Sequence, residues 1–348
     1  MQNKEIFGQR VKRARIMRGL SMEKLSLAMG KAISRMSISK YERGEVYPTS
    51  STLLLLAEAL QLPVDYFFRE PNYLVEAIKF RKRSTLGETK SKMIKERVID
   101  VVERYCEIED ICADFRPFKS LPQYLISDKT EALKAAGQLS KRWDLGIDGI
   151  VWVSELLEEN GIKVVEIEEH PKFDGLSLIV YEHLPVIVLN TSFSSERRRF
   201  TAFHELAHLL LKFSPSLSEK ECEALCNTFA NEMLLPGDVF KSLVGQRRSK
   251  ITIPELLAIQ RQFGISVDAL MYKAKEMSII SERSYRQHCI DKNRDKELKE
   301  VVEQSHWEEE SASRFERLVY RALSDSLISF SKAASLLNSP IEEIKRLL

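Results

Sequence analysis

The sequence predicts a mostly α-helical protein with a small β-sheet, an α+β chain built from more than one domain. Its 348 residues are about twice the length of an average domain. Apolar residues recur at helical spacing through the first 70 residues and again after residue 280, which predicts helical terminal parts. Three short β-rich runs, at 162–167, 176–181 and 186–189, predict the sheet between them.

Composition argues against a disordered chain and against a membrane-spanning one. Apolar residues make up 44% of the chain, which is enough to form hydrophobic cores. The longest apolar run, about residues 52–56, is far shorter than the roughly 20 residues that a membrane span requires. The N-terminus lacks the apolar segment of a secretory signal, and the five scattered cysteines are typical of free thiols in a reducing cytosol. We therefore expect a soluble, cytoplasmic protein.

Charge is unevenly distributed, although the net charge is only +2. Residues 1–44 carry eleven Lys/Arg against three Glu, a balance of +8, and residues 79–97 carry eight against two, a balance of +6. Acidic stretches follow at 100–131 and 297–310. A basic N-terminal module is typical of proteins that bind a polyanion, whereas a solvated helical surface is the plain alternative.

The first 70 residues predict five short helices. Helix-stopping glycines, N-capping hydroxyl residues and prolines mark their boundaries. These markers, in chain order, are Gly19, Ser21, Gly30, Gly44, Pro48, Thr49 and Pro63. The tight turn between the second helix, about 22–29, and the third, about 36–43, is typical of a helix-turn-helix.

This segment resembles the Cro/repressor-type (XRE) helix-turn-helix family. The resemblance is carried by Leu20-Ser21, Leu25, the run Ile38–Gly44, Pro48 and the run Leu56–Leu60. In that family the third helix enters the major groove of double-stranded DNA. The resemblance therefore implies DNA-binding residues at Arg35, Met36, Ser39, Lys40 and Arg43, of which Arg43 and the basic residues of the first helix would contact phosphates.

Two departures and one alternative accompany this resemblance. Met22 stands where the family usually has Gln, and the spacing from Gly30 to Gly44 is about two residues longer than usual. A helical bundle used only for dimerisation is the alternative. Repressors of this type usually bind paired half-sites, which implies a possible homodimer.

A metal-binding pattern lies in the centre of the chain, on the helix predicted after the β-rich runs. His204 and His208 are four residues apart, so both imidazoles project from one helical face and can bind one zinc ion. Glu205 is rotated about 100° from His204, which suits a general base that takes a proton from the attacking water. A pair of hydrogen-bonded core histidines is the alternative interpretation.

Two histidines leave a zinc ion one protein ligand short, and the next helix, about 218–235, offers several candidates. The candidate carboxylates and thiols there are Glu219, Glu221, Glu223, Cys222 and Cys226. A carboxylate is the usual partner of this motif in hydrolytic sites, whereas a thiolate remains chemically possible. The two cysteines also suggest a redox switch, but small apolar core residues are the favoured interpretation.

The same region resembles the ImmA/IrrE zinc metallopeptidase family over roughly residues 150–275. The matching motifs are the runs Arg199–Leu210, Glu223–Ala230 and Leu234–Pro236. The resemblance implies a zincin-like, gluzincin-like site with metal ligands His204, His208 and Glu223 and the catalytic residue Glu205. Leu225 stands where many members have a second Glu. The resemblance also implies control of stress, phage or mobile-element genes through cleavage of an XRE-type repressor. Because both parts lie in one chain, cleavage in cis, cleavage of a separate repressor and sensing without cleavage all remain open.

We therefore predict four segments. They are an XRE-type helix-turn-helix domain (1–70), a helical charged connector (71–145), an ImmA/IrrE-like zinc metallopeptidase domain (146–278) and a helical C-terminal accessory region (279–348). A repressor segment is expected to bind as an extended strand beside residues 176–190. Candidates for stabilising the oxyanion are Arg198, Arg199, Tyr181 and His183.

The favoured hypothesis is a DNA-binding transcriptional regulator whose zinc endopeptidase cleaves a repressor or other regulatory protein. The alternative is a non-hydrolytic ligand sensor or antitoxin-like regulator with a peptidase-like domain. Glu205 favours the first, because a sensor without turnover needs no base beside two histidines. The basic N-terminal module argues against a third possibility, a housekeeping peptidase.

Overall fold

A computed structural model describes residues 2–69, 79–80, 87–118, 124–170, 172–180 and 183–347. The described chain is mostly helical with two small sheets, so the predicted α+β fold class is confirmed. No described helix is both long and apolar enough to cross a membrane. Hydrophobic residues gather into separate clusters around the N-terminal helices, around the central helices, beneath the larger sheet and among the last helices.

The N-terminal helices agree with the predicted arrangement. They are α1 (Gln2–Met17), α2 (Met22–Ala28), α3 (Arg35–Glu42), α4 (Ser50–Leu60) and a 3₁₀ helix (Val64–Phe68). Gly19 adopts a left-handed φ of +64° after α1, and the Ser21 hydroxyl accepts a hydrogen bond from the backbone N–H of Lys24. Their core contains Phe7, Val11 and Leu25.

The turn between α2 and α3 accommodates the two extra residues. Gly30 and Lys31 both have left-handed backbones, with φ of +63° and +61°. The Ser26 hydroxyl donates a hydrogen bond of 2.6 Å to the carbonyl of Ile33, which fixes the end of the turn. The turn between α2 and α3 is therefore formed by two left-handed residues and one side-chain hydrogen bond.

The described contacts of the α1 arginines lie within the protein, and the expectation that they contact DNA phosphates stays a prediction. Arg10 and Arg13 both bind Glu103 of α5 (Glu88–Cys112), at 2.6 and 2.8 Å. Arg15 binds Glu42 at 2.5 Å, and Arg18 donates to the backbone carbonyls of residues 60 and 61. The positive balance of residues 1–44 is thus partly neutralised by the acidic stretch that follows.

The sheets come from six short strands. These are β1 (Lys79–Phe80), β2 (Tyr124–Ile126), β3 (Lys163–Ile167), β4 (Gly175–Val180), β5 (Leu184–Asn190) and β6 (Leu211–Phe213). The larger sheet has the order β1-β4-β5-β3, with β3 parallel to β5 and the other pairs antiparallel; β2 and β6 pair in parallel. Strands β1 and β2 belong to the segment predicted as a helical connector. That segment therefore also contributes to both sheets.

The remaining helices build the central and C-terminal parts. They are α6 (Lys129–Arg142), α7 (Val153–Glu159), α8 (Ser195–Leu210), α9 (Glu219–Leu234), α10 (Gly237–Val244), α11 (Ile253–Phe263), α12 (Val267–Glu276), α13 (Glu282–Arg294), α14 (Lys296–Glu303), α15 (Arg314–Ser324), α16 (Phe330–Leu337) and α17 (Ile341–Leu347). Helices α8 and α9 pack against each other, and α15 packs against α5.

The segment between α14 and α15 is hydrogen-bonded to the first half of α8. The buried carboxylate of Glu196 accepts hydrogen bonds from the Ser305 hydroxyl and from the backbone N–H groups of His306 and Trp307. The C-terminal part of the chain therefore supports the helix that carries the two motif histidines.

Candidate metal centre and DNA-facing helix

Two well-capped helices position the candidate metal ligands. Ser194 caps α8 by accepting the backbone N–H of Arg197, and Ser218 caps α9 in a reciprocal capping box with Glu221. The Glu221 carboxylate therefore caps the N-terminus of α9 and does not reach the histidines. Helices α8 and α9 pack against each other, and buried apolar side chains such as Phe203 and Phe229 belong to the same hydrophobic core.

The structure brings His204, His208 and Glu223 together. The Nε2 atoms of the two histidines are 3.1 Å apart, His204 Nε2 is 3.2 Å from Glu223 Oε2, and His208 Nε2 is 3.5 Å from Glu223 Oε1. Two ligands of a tetrahedral zinc ion with bonds of about 2.0–2.1 Å are about 3.3 Å apart. Two imidazole nitrogens and a carboxylate at these spacings fit zinc in both chemistry and separation. No other such cluster of His, Cys, Asp or Glu occurs among the described residues.

The outer nitrogens of the two rings also have partners, and both partners lie on α9. His204 Nδ1 is 2.8 Å from Asn227 Oδ1, and His208 Nδ1 is 3.4 Å from Cys226 Sγ. Such outer hydrogen bonds orient metal-binding histidines. Cys226 thus lies behind His208, on the side away from the ligand cluster.

The electrostatics of the cluster favour a charged carboxylate. Hydrogen bonds with His204 and His208 hold the pKa of Glu223 well below its ordinary value. Burial opposes protonation of His204, but the hydrogen bond to Glu223 and the negative charges of Glu205 and Glu223 raise the pKa of this histidine overall. The site therefore attracts a cation, whether proton or metal.

Glu205 lies beside the cluster and keeps its carboxylate available. It is half-buried, and within the described part of the chain no hydrogen bond or ion pair holds it. The start of β4 is close to it, because a Cβ placed on Gly175 would be 3.7 Å from Glu205 Cγ. The Glu205 side chain is therefore close to the first residue of β4, and its charge acts on His204 of the ligand cluster.

The candidates for oxyanion stabilisation are mostly engaged elsewhere. Arg199 is 1% exposed and binds Glu310 together with four backbone carbonyls, which excludes it from a reacting site. Arg198 is buried and binds Glu166 at 3.0 Å. His183 precedes β5, at the end of the β4–β5 hairpin opposite Gly175. Tyr181 lies outside the described residues.

The predicted DNA-contacting side chains share the outer face of α3. Arg35, Met36 and Lys40 are exposed, Met36 by 70%, whereas Ile38 and Glu42 face the core. Ser39 is half-buried and accepts a hydrogen bond of 2.7 Å from Arg43. Arg43 also binds Glu45 at 2.5 Å, so its charge is partly offset in the free protein.

Sequence reasoning left two functional contacts unassigned. Asn227 follows Glu223 by four residues on α9 and so shares its helical face, a spacing that could have suggested a histidine partner. Cys226 carried no comparable signal, because its bond to His208 depends on how α8 and α9 pack.

Comparisons with known proteins agree with these observations. Residues 157–275 match the model of a peptidase family described as the IrrE N-terminal-like domain, and residues 11–67 match a helix-turn-helix family. A Rhodospirillum rubrum protein named "Uncharacterized transcriptional regulator in ATPase CF(0) region" is 41% identical over 63 residues. That match covers 18% of this chain and 56% of the relative, so the chain spans about half the relative's length. The chain thus combines an XRE-type helix-turn-helix segment with an IrrE N-terminal-like segment of the peptidase family.

Proposed function

We propose that this protein is a DNA-binding transcriptional regulator whose zinc-dependent endopeptidase cleaves a repressor or another regulatory protein. The observation that carries the proposal is the cluster of His204, His208 and Glu223 together with Glu205, which has no hydrogen bond or ion pair among the described residues. The helix-turn-helix segment and the relative named as a transcriptional regulator support the DNA-binding half.

In this proposal His204, His208 and Glu223 hold the zinc ion. When bound, zinc supplies Lewis-acid chemistry, polarising the scissile carbonyl and lowering the pKa of water. Glu205 takes a proton from the attacking water on its carboxylate and passes it to the departing amide nitrogen. Asn227 holds the His204 ring in place, and the apolar packing around α8 limits access of bulk water.

The substrate binds as an extended strand along β4. Strand β5 is paired on both sides, whereas β1 covers the outer edge of β4 only at Leu178 and Ile179, as far as the described residues go. Gly175, at the start of β4, lies close to Glu205. A segment added at this edge would make backbone hydrogen bonds with β4 and pass the base. The substrate was expected to bind beside residues 176–190, and we propose that it binds at the edge of β4 that faces away from β5.

The DNA-binding half uses α3. The major groove is read by Arg35, Met36, Ser39 and Lys40. Arg43 contacts a phosphate once its ion pair with Glu45 has broken. A homodimer binds two half-sites. We further propose that the chain divides into four functional units, residues 1–70, 71–145, 146–278 and 279–348. We also propose that the protein acts in the cytoplasm and controls stress, phage or mobile-element genes. A non-hydrolytic sensor is the second candidate, but a Glu205 carboxylate without a partner in the described part of the chain favours catalysis.

The test compares wild-type protein with Glu205→Gln and Glu223→Ala. Elemental analysis of the purified proteins should find one zinc per chain in the wild type and in Glu205→Gln, and a sharp loss in Glu223→Ala. Cells expressing wild type should then yield new protein N-termini that are missing from cells expressing Glu205→Gln. Zinc binding with identical N-termini in both strains would favour the sensor, and a zinc-free wild type would exclude the proposed metal centre.

A further inference from the structure

One face of α8 lies beside the start of β4. Arg197, Thr201 and Glu205 are four residues apart, so they share a helical face. A Cβ placed on Gly175 would be 2.7 Å from Thr201 Cγ2 and 3.7 Å from Glu205 Cγ. Asp174, the residue before Gly175, has its Oδ1 atom 2.7 Å from Arg197 Nη2. Arg197 therefore lies at the same end of β4 as the proposed general base.

Two contacts hold the Arg197 side chain, although it is exposed. Its guanidinium carbon lies over the Phe193 ring, 3.8 Å from the ring centre. Its Nη2 atom donates to Asp174, and its other side-chain donors have no partner among the described residues. A guanidinium stacked on an aromatic face keeps its N–H groups in its own plane, where they can bind a carboxylate. Arg197 is thus oriented and still has donors to offer.

The pair of Arg197 and Asp174 favours a negatively charged ligand group over a positive one. Arg197 is 51% exposed and Asp174 is 50% exposed, and ion pairs between such exposed groups are weak. A guanidinium has five N–H donors, so a second carboxylate can bind Arg197 without expelling Asp174. A cationic side chain would instead have to compete with Arg197 for the Asp174 carboxylate.

The spacing along α8 gives the distance between Arg197 and the reacting bond. Arg197 precedes Glu205 by eight residues, which is about 12 Å along a helix. An extended chain covers that distance in about three to four residues. A substrate segment that passes Glu205 at the start of β4 therefore reaches Arg197 about three to four residues from the cleaved bond.

We propose that Arg197 is a specificity-determining residue that binds an Asp or Glu side chain of the substrate at this distance from the cleaved bond. The substrate class is thus a protein segment with an acidic residue at one defined position. This inference rests on the proposed endopeptidase and on a substrate strand at the outer edge of β4.

The experiment maps cleavage in cells that express full-length variants. Protein N-termini that appear with the wild type and are missing with Glu205→Gln define the cleaved bonds, and Asp or Glu should lie about three to four residues from each. Arg197→Gln should reduce this cleavage by about 10–100-fold, the usual effect of losing a hydrogen bond to a charged group. Arg197→Lys keeps the charge and should lose less. Arg317→Gln, a similarly exposed arginine that pairs with Glu155 at 2.7 Å, is the matched control and should cleave as the wild type does.

A charge exchange separates recognition from a loss of folding. Arg197→Glu should stop cleavage, and replacing the acidic residue of a mapped substrate with Lys should restore it. Thermal midpoints of the Arg197 variants should match the wild type, because the side chain is exposed.

The outcomes distinguish this inference from the proposed function. Unchanged cleavage in Arg197→Gln, or cleaved sequences without an acidic residue at this distance, would overturn the role of Arg197. A basic residue there whose cleavage is lost in Asp174→Asn would show that Asp174 selects the substrate instead. Identical N-termini in the wild type and Glu205→Gln would overturn the proposed function, and the role of Arg197 with it.

Discussion

Glu310 lies 2.7 Å from Arg199 Nη1, and this ion pair joins the C-terminal part of the chain to α8, five residues before His204. Both side chains are at most 3% exposed, and Glu310 also accepts the backbone N–H of Ser154 at 2.6 Å. The helix with the motif histidines is therefore held from outside the segment that matches the peptidase family. Truncation of the C-terminal region would leave the Arg199 charge buried without its partner.

Replacing Glu310 with Ala should destabilise the fold strongly. Removing one partner of a buried ion pair typically costs about 3–5 kcal/mol, because the other charge stays desolvated. Urea denaturation should report this loss. Arg317→Ala, which breaks the exposed pair with Glu155, is the control and should cost no more than about 1 kcal/mol. Equal, small losses in both variants would show that Arg199 finds another partner.

Glu158 should make the folded state less stable as the pH rises. Burial raises the pKa of this carboxyl to about 7, although hydrogen bonds from Tyr105 and Arg314 oppose the shift. The unfolded chain, with the ordinary value of 4.5, releases the proton earlier, so stability falls between pH 4.5 and about 7 and the loss is complete above that. The whole effect is about 3 kcal/mol at most.

Glu158→Gln should remove this dependence, since the amide stays neutral. The variant should gain stability over the wild type as the pH is raised from about 4.5 to about 8, measured by thermal midpoints at matched ionic strength. Glu159→Gln changes the neighbouring exposed residue and should track the wild type at every pH. A Glu158→Gln curve parallel to the wild type would mean that the carboxyl titrates normally.

Gly175→Ala should disturb the contact between β4 and Glu205. The added Cβ would lie 2.6 Å from the Val188 carbonyl oxygen and 2.7 Å from Thr201 Cγ2, so β4 must move relative to β5 and α8. We expect a loss of about 1–3 kcal/mol, typical of overpacking, and slower cleavage with zinc affinity preserved. Gly137→Ala on α6 has open space around its Cβ and should be neutral or stabilising. Unchanged stability and cleavage in Gly175→Ala would contradict this geometry.

Local sequence signals predicted the helix boundaries well. Ser21, Ser194 and Ser218 each precede a helix whose first turn their side chains cap, and a cap needs only three neighbouring residues. The two motif histidines were predictable for the same reason, since four-residue spacing on a helix fixes their shared face. The choice of Glu223 as the third metal ligand depended on the family resemblance, because several carboxylates and thiols on the next helix could have faced the histidines.

Contacts between distant segments were not predictable. Arg10 and Glu103 are 93 positions apart, and nothing in the basic character of α1 distinguishes an arginine that pairs with α5 from one that meets DNA. Strand β1 has two residues and pairs with β4 about 100 positions later, so no local alternation marks it. Such contacts depend on tertiary packing, which local patterns do not encode.

Replacing Arg35 and Lys40 with Ala should weaken DNA binding without affecting zinc content. Both side chains are exposed on the outer face of α3, and neither has a described ion pair that its loss would break. Each lost phosphate contact should reduce the slope of log affinity against log salt by about 0.9, and each lost base contact should cost about 1–3 kcal/mol. Fluorescence anisotropy with labelled duplexes, repeated at several salt concentrations, measures both effects. Lys141→Ala with Arg142→Ala removes the same charge from α6 and should bind as the wild type does. If the α3 variant and this control lose affinity equally, α3 does not enter the groove and only net charge matters.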